Sequence, residues 1–196
     1  MSNYVDQIIS LATKRKSDQP VFIAVDGHSA AGKTTLAKKL AVQLPNSVLL
    51  HMDDFYRVLD EQERFALGDQ EGYELYFDWQ HLKQEVLEPL AQSKSTSFKV
   101  YDWQHNTPGE EKCLAPSDFV IVEGCYSARL ELEAFYAVVV LVETDFEERK
   151  KRLIERNENS QAWIDRWEAA ELFYLRTTNL ADRADVVVRN AHVLPD

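Results

Sequence analysis

Positive charge is scarce in this sequence. Its 22 lysines and arginines stand against 33 aspartates and glutamates, a formal net charge of −11. A surface that tracks a nucleic-acid backbone needs a basic stripe, and this balance excludes an extended one. A small anionic ligand is not excluded, because backbone N–H groups and a few Lys or Arg can make one site positive on an acidic protein. Cysteine is scarcer still: Cys113 and Cys125 are the only two, too few for a disulfide framework, which favours a reducing compartment. Long apolar runs are missing, and the longest, Ala137 to Val142, falls far short of the roughly 20 residues that cross a bilayer. No basic segment leading into an apolar one opens the sequence. The expectation is a cytoplasmic protein with no nucleic-acid and no membrane partner. Its 196 residues, 45% hydrophobic and 28% charged, suit one domain over 1–196 with a substantial core.

Glycine is also rare, six in all, yet two of them bracket four small or polar residues in "DGHSAAGKTT". The surrounding pattern explains why. Val21–Val25 is an apolar, β-rich run and reads as a buried strand; Lys33–Leu44 is amphipathic and ends before Pro45. Gly27-x-x-x-x-Gly32-Lys33-Thr34 therefore lies between strand and helix, the context that a Walker A phosphate loop requires. Its glycines permit the conformations that turn N–H groups inward on an anion, and the helix start adds its dipole. The phosphate-binding candidates are Gly27, His28, Ser29, Ala30, Ala31, Gly32, Lys33, Thr34 and Thr35. Lys33 supplies a point charge to the outer phosphates, and the Thr34 hydroxyl is placed for Mg²⁺.

Elsewhere the pattern predicts helices at Tyr4–Lys14, Asp78–Gln92, Asp145–Arg156 and Gln161–Leu175. Strands are expected at Ser47–Met52, Ser97–Trp103, Asp118–Gly124, Ala137–Glu143 and Ala184–Val188, with a polar loop after Trp103 through Pro108 and Gly109. Strands apolar on both faces and alternating with helices imply an α/β fold, a mostly parallel sheet with helices on both faces. Asp53 closes the second strand at the edge where open α/β sheets bind ligands, which suits a general base for a hydroxyl nucleophile. No Asn-Lys-x-Asp base-reading segment is present, which argues against a GTPase.

"HMDDFYRVL", with "YFDWQHL", "VYDW", "VIVEG" and "RADVVV" in the same order, resembles the uridine kinase/phosphoribulokinase family of P-loop kinases. The resemblance implies a P-loop NTPase fold with a small helical lid at about 149–167, and an ATP- and Mg²⁺-dependent kinase for a small-molecule hydroxyl. A uridine- or cytidine-like nucleoside is the implied acceptor. It assigns Asp53 as general base and metal contact, and Glu123 as a second acid at the metal. On the residues alone, Glu123 is equally a structural acceptor for the loop. The family places acceptor-binding groups at Tyr56, Asp78 and Tyr101, and at His105, which falls one residue off the family spacing. Asp78 also reads as a helix cap, the tyrosines as packing, and His105 as a surface histidine. Lid arginines correspond to Arg152 and Arg156, and less directly to Arg149; the alternative is a solvated face paired with Glu147, Glu148 and Glu155. Arg183 falls where related kinases hold the adenine side of the nucleotide, or pairs with Asp182 or Asp185.

The segment Asn157 to Trp167 departs from the family, which has a longer, arginine-rich lid. Trp163 and Trp167 are spaced to pack together, and Arg166 is a candidate substitute for a missing lid arginine. Competing functions are a kinase of nicotinamide riboside, pantothenate or sugar type, and a non-catalytic nucleotide-binding regulator. The resemblance also permits a homo-oligomer.

Overall fold

A computed structural model describes residues 2–156 and 160–190. In chain order the strands are β1 (Val21–Asp26), β2 (Ser47–His51), β3 (Thr96–Asp102), β4 (Thr107–Leu114), β5 (Phe119–Glu123), β6 (Tyr136–Glu143) and β7 (Val186–Arg189). The helices are α1 (Ser2–Lys14), α2 (Lys33–Gln43), α3 (Glu61–Ala66), α4 (Asp69–Leu75), α5 in three consecutive parts (Trp79–His81, Leu82–Leu87 and Glu88–Ala91), α6 (Phe146–Arg156), α7 (Gln161–Thr178) and α8 (Leu180–Arg183). Five strands form one sheet in the order β2-β5-β1-β6-β7, with every pairing parallel. β3 and β4 form a separate antiparallel hairpin.

The apolar runs are continuous because both faces of the sheet are covered. Val21, Ile23 and Val25 of β1 pack with Ile8 of α1 and Leu36 and Leu40 of α2. Phe22 and Ala24 face the opposite core, with Tyr126, Trp167 and Tyr174. A strand flanked by helices on both sides has no polar face to show, so its side-chain period of 2 is hidden. The expected α/β class is the observed one.

The structure adds elements that the sequence reading lacks. The stretch through Pro108 and Gly109 is not a loop but strand β4, paired only with β3. It is solvated along its length, so it carries no apolar alternation to read, and a proline is tolerated on such an edge. Helices α3 and α4 are too short for a periodic signal and are fixed by their caps. Asp60 accepts from the N–H groups of Gln62 and Glu63 at 2.8 and 3.2 Å, and Glu71 accepts from the Gly68 N–H at 2.9 Å.

Within α5 the middle segment Leu82–Leu87 widens to a π-helix just before Pro89. Proline denies the Glu85 carbonyl its helical partner, and the Thr96 hydroxyl bonds that carbonyl instead. Asp78 caps the helix start, accepting from the His81 N–H at 3.1 Å. α7 runs past the expected Leu175 to Thr178 and stops at Asn179, which is left-handed at φ 47°. No helix among the described residues is long and apolar enough to cross a membrane.

Candidate active site

The ends of β1, β2 and β5 bring three loops to one edge of the sheet. After β1 the chain turns at Gly27, φ 140°, so close to β6 that a Cβ there would lie 2.2 Å from the Val142 carbonyl oxygen. Gly32, φ 100°, opens α2 in a conformation that a side chain would strain. Asp26 holds the entry to the loop. Its fully buried carboxylate accepts from the Gly27 N–H at 2.6 Å, the Ala128 N–H at 2.7 Å and the Tyr174 hydroxyl at 2.6 Å. Burial pushes its pKa up, against the pull of these donors.

Lys33, 7% exposed, donates to the His28 carbonyl at 2.8 Å and approaches the Cys125 sulfur at 3.3 Å. Burial opposes its charge, but the Cys125 sulfur and the carboxylates of Glu171, Glu123 and Asp26 outweigh it, so its pKa is raised. The Thr34 hydroxyl donates to Glu123 Oε1 at 3.0 Å, and the His51 ring meets the same oxygen at 2.6 Å. Asp53 lies two residues past β2, in the short helical turn Met52–Phe55. Its carboxylate is open to the cleft but crowded by protein on its other sides. That burial, with repulsion from Glu123, raises its pKa. A hydroxyl and two carboxylates are the hard oxygen donors that Mg²⁺ accepts, so Thr34, Glu123 and Asp53 fit that ion.

One cavity of about 570 Å³ is lined by Ser29, Ala30, Gly32, Lys33, Thr34 and Thr35, by Asp53 and Glu123 opposite, and by Arg156. Trp103, Trp163 and Trp167 complete its wall. Tyr56, Asp78 and Tyr101 line a different recess of about 240 Å³, together with Asp54 rather than Asp53. Asp54 points away from the cleft and pairs with Lys112 at 2.8 Å.

Several expected site residues are engaged elsewhere. His105 is exposed and bonds Asp102 at 2.7 Å on the hairpin turn. The neighbouring Asn106 takes the inward position, accepting from the Tyr101 hydroxyl at 2.7 Å. Arg183 bonds the carbonyls of Ala128 and Thr178 at 2.8 and 3.1 Å and pairs with Glu133, a structural clasp that lines neither cavity. Arg149 is buried in a two-point pair with Glu168 at 2.8 and 2.9 Å. Arg166 donates to the Arg64 carbonyl and lies 3.7 Å over the Phe65 ring, turned from the cleft. Arg152 reaches the phosphate loop itself, donating to the Ala30 carbonyl at 2.9 Å, with Glu148 behind it at 3.1 Å. Residues 157–159 of the departing segment lie outside the described residues.

Sequence reading missed Glu171, whose only signal is an acid in the otherwise apolar "AAELF" of α7. It is 1% exposed and accepts from the His28 ring at 2.9 Å, from the Ser29 N–H at 3.0 Å and its hydroxyl, and from the Cys125 thiol at 3.0 Å. Burial alone would raise its pKa; His28, Lys33 and Ser29 more than offset this and hold it at about 2. An unfolded glutamate titrates near about 4.3. The folded value is depressed, so the stabilisation is complete above the unfolded pKa and is lost as pH falls toward the folded one. The amount is about 3 kcal/mol. Urea denaturation of Glu171→Gln between about pH 6 and pH 3 is expected to show a flatter pH dependence than the parent chain, with lower stability at neutral pH.

A parallel sheet whose central strand enters a glycine-flanked anion loop, followed by a helix and faced by acids from the neighbouring strands, defines a P-loop NTPase fold. Residues 22–162 match the model of the Phosphoribulokinase / Uridine kinase family. The chain belongs to that family. It is 30% identical over 145 residues to a uridine kinase of Schizosaccharomyces pombe, covering 70% of this chain and 32% of that protein. It is 33% identical over 145 residues to a uridine kinase of Brevibacillus brevis, covering 70% of this chain and 66% of that one. The structure of a possible uridine kinase from Bacillus stearothermophilus is similar with a TM-score of 0.75 at 27% identity, over 95% of this chain and 98% of the other.

Proposed function

We propose that the chain is an ATP-dependent kinase that transfers the γ-phosphoryl group to a hydroxyl of a small molecule, with uridine and cytidine the first acceptors to test. One observation carries the reading: Lys33, Thr34 and Asp53 open onto a single cavity of about 570 Å³. Anion-binding amides and a carboxylate of raised pKa facing them are the two parts that phosphoryl transfer needs.

In this reading the amides from Ala30 to Thr35 hold the donor's phosphates. Lys33 leaves the His28 carbonyl for the outer phosphates. Mg²⁺, when bound by Thr34, Glu123 and Asp53, neutralises the phosphate oxygens. Asp53 takes the proton as the acceptor's O–H bond breaks and its oxygen bonds to the γ-phosphorus, while the bond from that phosphorus to ADP breaks. Arg156 faces the same cavity and spreads its charge over the equatorial oxygens. Arg152 keeps the loop in shape through Ala30.

The test is a panel of uridine, cytidine, nicotinamide riboside, pantothenate and D-ribose with Mg-ATP, followed by ADP release and mass spectrometry of the acceptor. Acceptor-dependent ADP with a phosphorylated product supports the reading. ATP binding without acceptor-dependent turnover across the panel overturns it in favour of a regulator.

A further inference from the structure

We infer that Trp167 and Glu171 of α7 position the outer end of the phosphate loop, so that the preference for a nucleoside triphosphate over a diphosphate is set from this helix. The inference rests on the kinase reading and concerns its donor.

The two ends of the loop are held in different ways. From Gly32 onward the loop merges into α2: the Gly32 carbonyl accepts from the Leu36 N–H at 3.2 Å, and helix geometry fixes the amides of Lys33, Thr34 and Thr35. His28 to Ala30 lies outside that helix. Ala30 is left-handed at φ 59°, a conformation that a Cβ disfavours. The Lys33 ammonium bonds the His28 carbonyl at 2.8 Å, so this end of the loop stands beside the charge meant for the outer phosphates.

α7 supplies the hold that the outer end needs. Trp167, Glu171 and Tyr174 are spaced i, i+4 and i+7, which sets three polar groups along one stripe of the helix. The Tyr174 hydroxyl donates to Asp26 at 2.6 Å, and Asp26 accepts from the Gly27 N–H at 2.6 Å. Glu171 accepts from the His28 ring at 2.9 Å, from the Ser29 N–H at 3.0 Å and from the Ser29 hydroxyl. Trp167 donates its ring N–H to that same hydroxyl at 2.8 Å. Three successive loop residues are therefore tied to one 18-residue helix. The Ser29 N–H and hydroxyl are turned to α7 rather than to a ligand, and their work is to hold the His28 carbonyl and Ala30 on either side. Glu171 is 1% and Trp167 8% exposed, so water does not replace a bond lost between them and Ser29. Cutting the tie loosens the end that meets the outermost phosphate and leaves the inner amides on α2. A triphosphate depends on both ends, a diphosphate mainly on the inner one. Glu171 also helps to hold the charge of Lys33, and a pure charge effect runs the opposite way: removing the carboxylate would strengthen triphosphate binding.

Calorimetry with Mg²⁺ and two probes, the β,γ-imido analogue of ATP and ADP, makes the test in the full chain. Glu171→Gln changes the charge; Trp167→Phe and Ser29→Ala leave the charge in place and remove one side-chain partner each. All three are expected to weaken the triphosphate analogue by about tenfold and ADP by no more than about twofold, the size of one lost buried hydrogen bond felt at one end of the loop. Because both side chains act on Ser29, the combined loss in the Glu171→Gln, Trp167→Phe double variant is expected to be smaller than the product of the single losses. Thermal melting reports whether each variant is folded, and Trp167→Phe and Ser29→Ala carry the test if Glu171→Gln does not fold. General loosening of the protein weakens both probes alike, so equal losses for the two overturn the proposal. Unchanged triphosphate affinity in Trp167→Phe and Ser29→Ala overturns it too, as does tighter triphosphate binding in Glu171→Gln. The kinase reading is scored separately, by acceptor-dependent ADP release from the parent chain. Such turnover with equal losses for both probes leaves the kinase standing without the tie. A selective loss of triphosphate affinity without turnover leaves the tie without the kinase, and a parent chain that binds neither probe overturns both.

Discussion

Asp53→Asn is expected to lower kcat by about a thousandfold while ATP affinity stays within about threefold. The two side chains have nearly the same volume, and the amide can still hydrogen-bond an acceptor hydroxyl. What it cannot do is remove the proton. Burial and the nearby Glu123 both disfavour the ionised carboxylate, which is why its pKa is raised. Neutralising it relieves that repulsion, so the thermal midpoint of Asp53→Asn is expected to match or exceed the parent's. Rate lost while stability is kept is the mark of a group retained for chemistry. Steady-state kinetics with the best acceptor from the panel, alongside a thermal melt, makes the comparison. A variant within tenfold of the parent kcat would remove Asp53 from the role of base. Transfer to the hydroxyl would then depend on positioning and charge neutralisation alone.

The fold was legible where the chain is buried and periodic, and obscure where it is neither. β1, β5 and β6 are apolar up to a terminal acid because helices cover both faces, and those near-continuous runs pointed to a mostly parallel sheet. β4 offers nothing to read. "TPGEEKCL" is solvated, contains a proline, and is a strand only because β3 lies beside it. The π-helical turn before Pro89 is visible as a proline inside a helix, but the rescue of the Glu85 carbonyl by Thr96 depends on a strand that follows the helix.

The site divides along the same line. Gly27, Gly32, Lys33 and Thr34 are contiguous, and their chemistry follows from local backbone geometry. Asp53 and Glu123 stood out as candidates from their places at strand ends. Glu171, Trp103 and Trp163 come from the far half of the chain or from the hairpin turn, and only the tertiary fold sets them around the loop. Arg149 and Arg183 show what spacing leaves out. Arginines in family positions carry the right charge, yet Glu168 holds one, and Glu133 with two carbonyls holds the other. A guanidinium already paired with protein acceptors is less available to a phosphate, and sequence spacing does not reveal which arginines are so engaged.

Lys33→Met is expected to lower kcat by roughly 10²–10³ and to weaken ATP, an effect comparable to the loss of one preorganised transition-state donor. Methionine preserves much of the stem's volume, so the change isolates the ammonium. In the free chain that ammonium is held by the His28 carbonyl and the Cys125 sulfur, ready to turn to a phosphate. Lys33→Arg is not expected to rescue, because a planar fork cannot occupy the same 2.8 Å site on His28 that the compact ammonium fills. Lys33 also offsets Glu171, Glu123 and Asp26, so Lys33→Met is expected to lose stability as well as rate. A double-mutant cycle separates the two roles. Adding Glu171→Gln to Lys33→Met removes one of the unbalanced charges and is expected to cost less stability than Glu171→Gln costs alone. It returns no activity, since no neutralisation beneath the loop replaces the positive charge that should meet the outer phosphate. Recovery of turnover in the double variant would mean that Lys33 serves the loop's architecture rather than the transferring group.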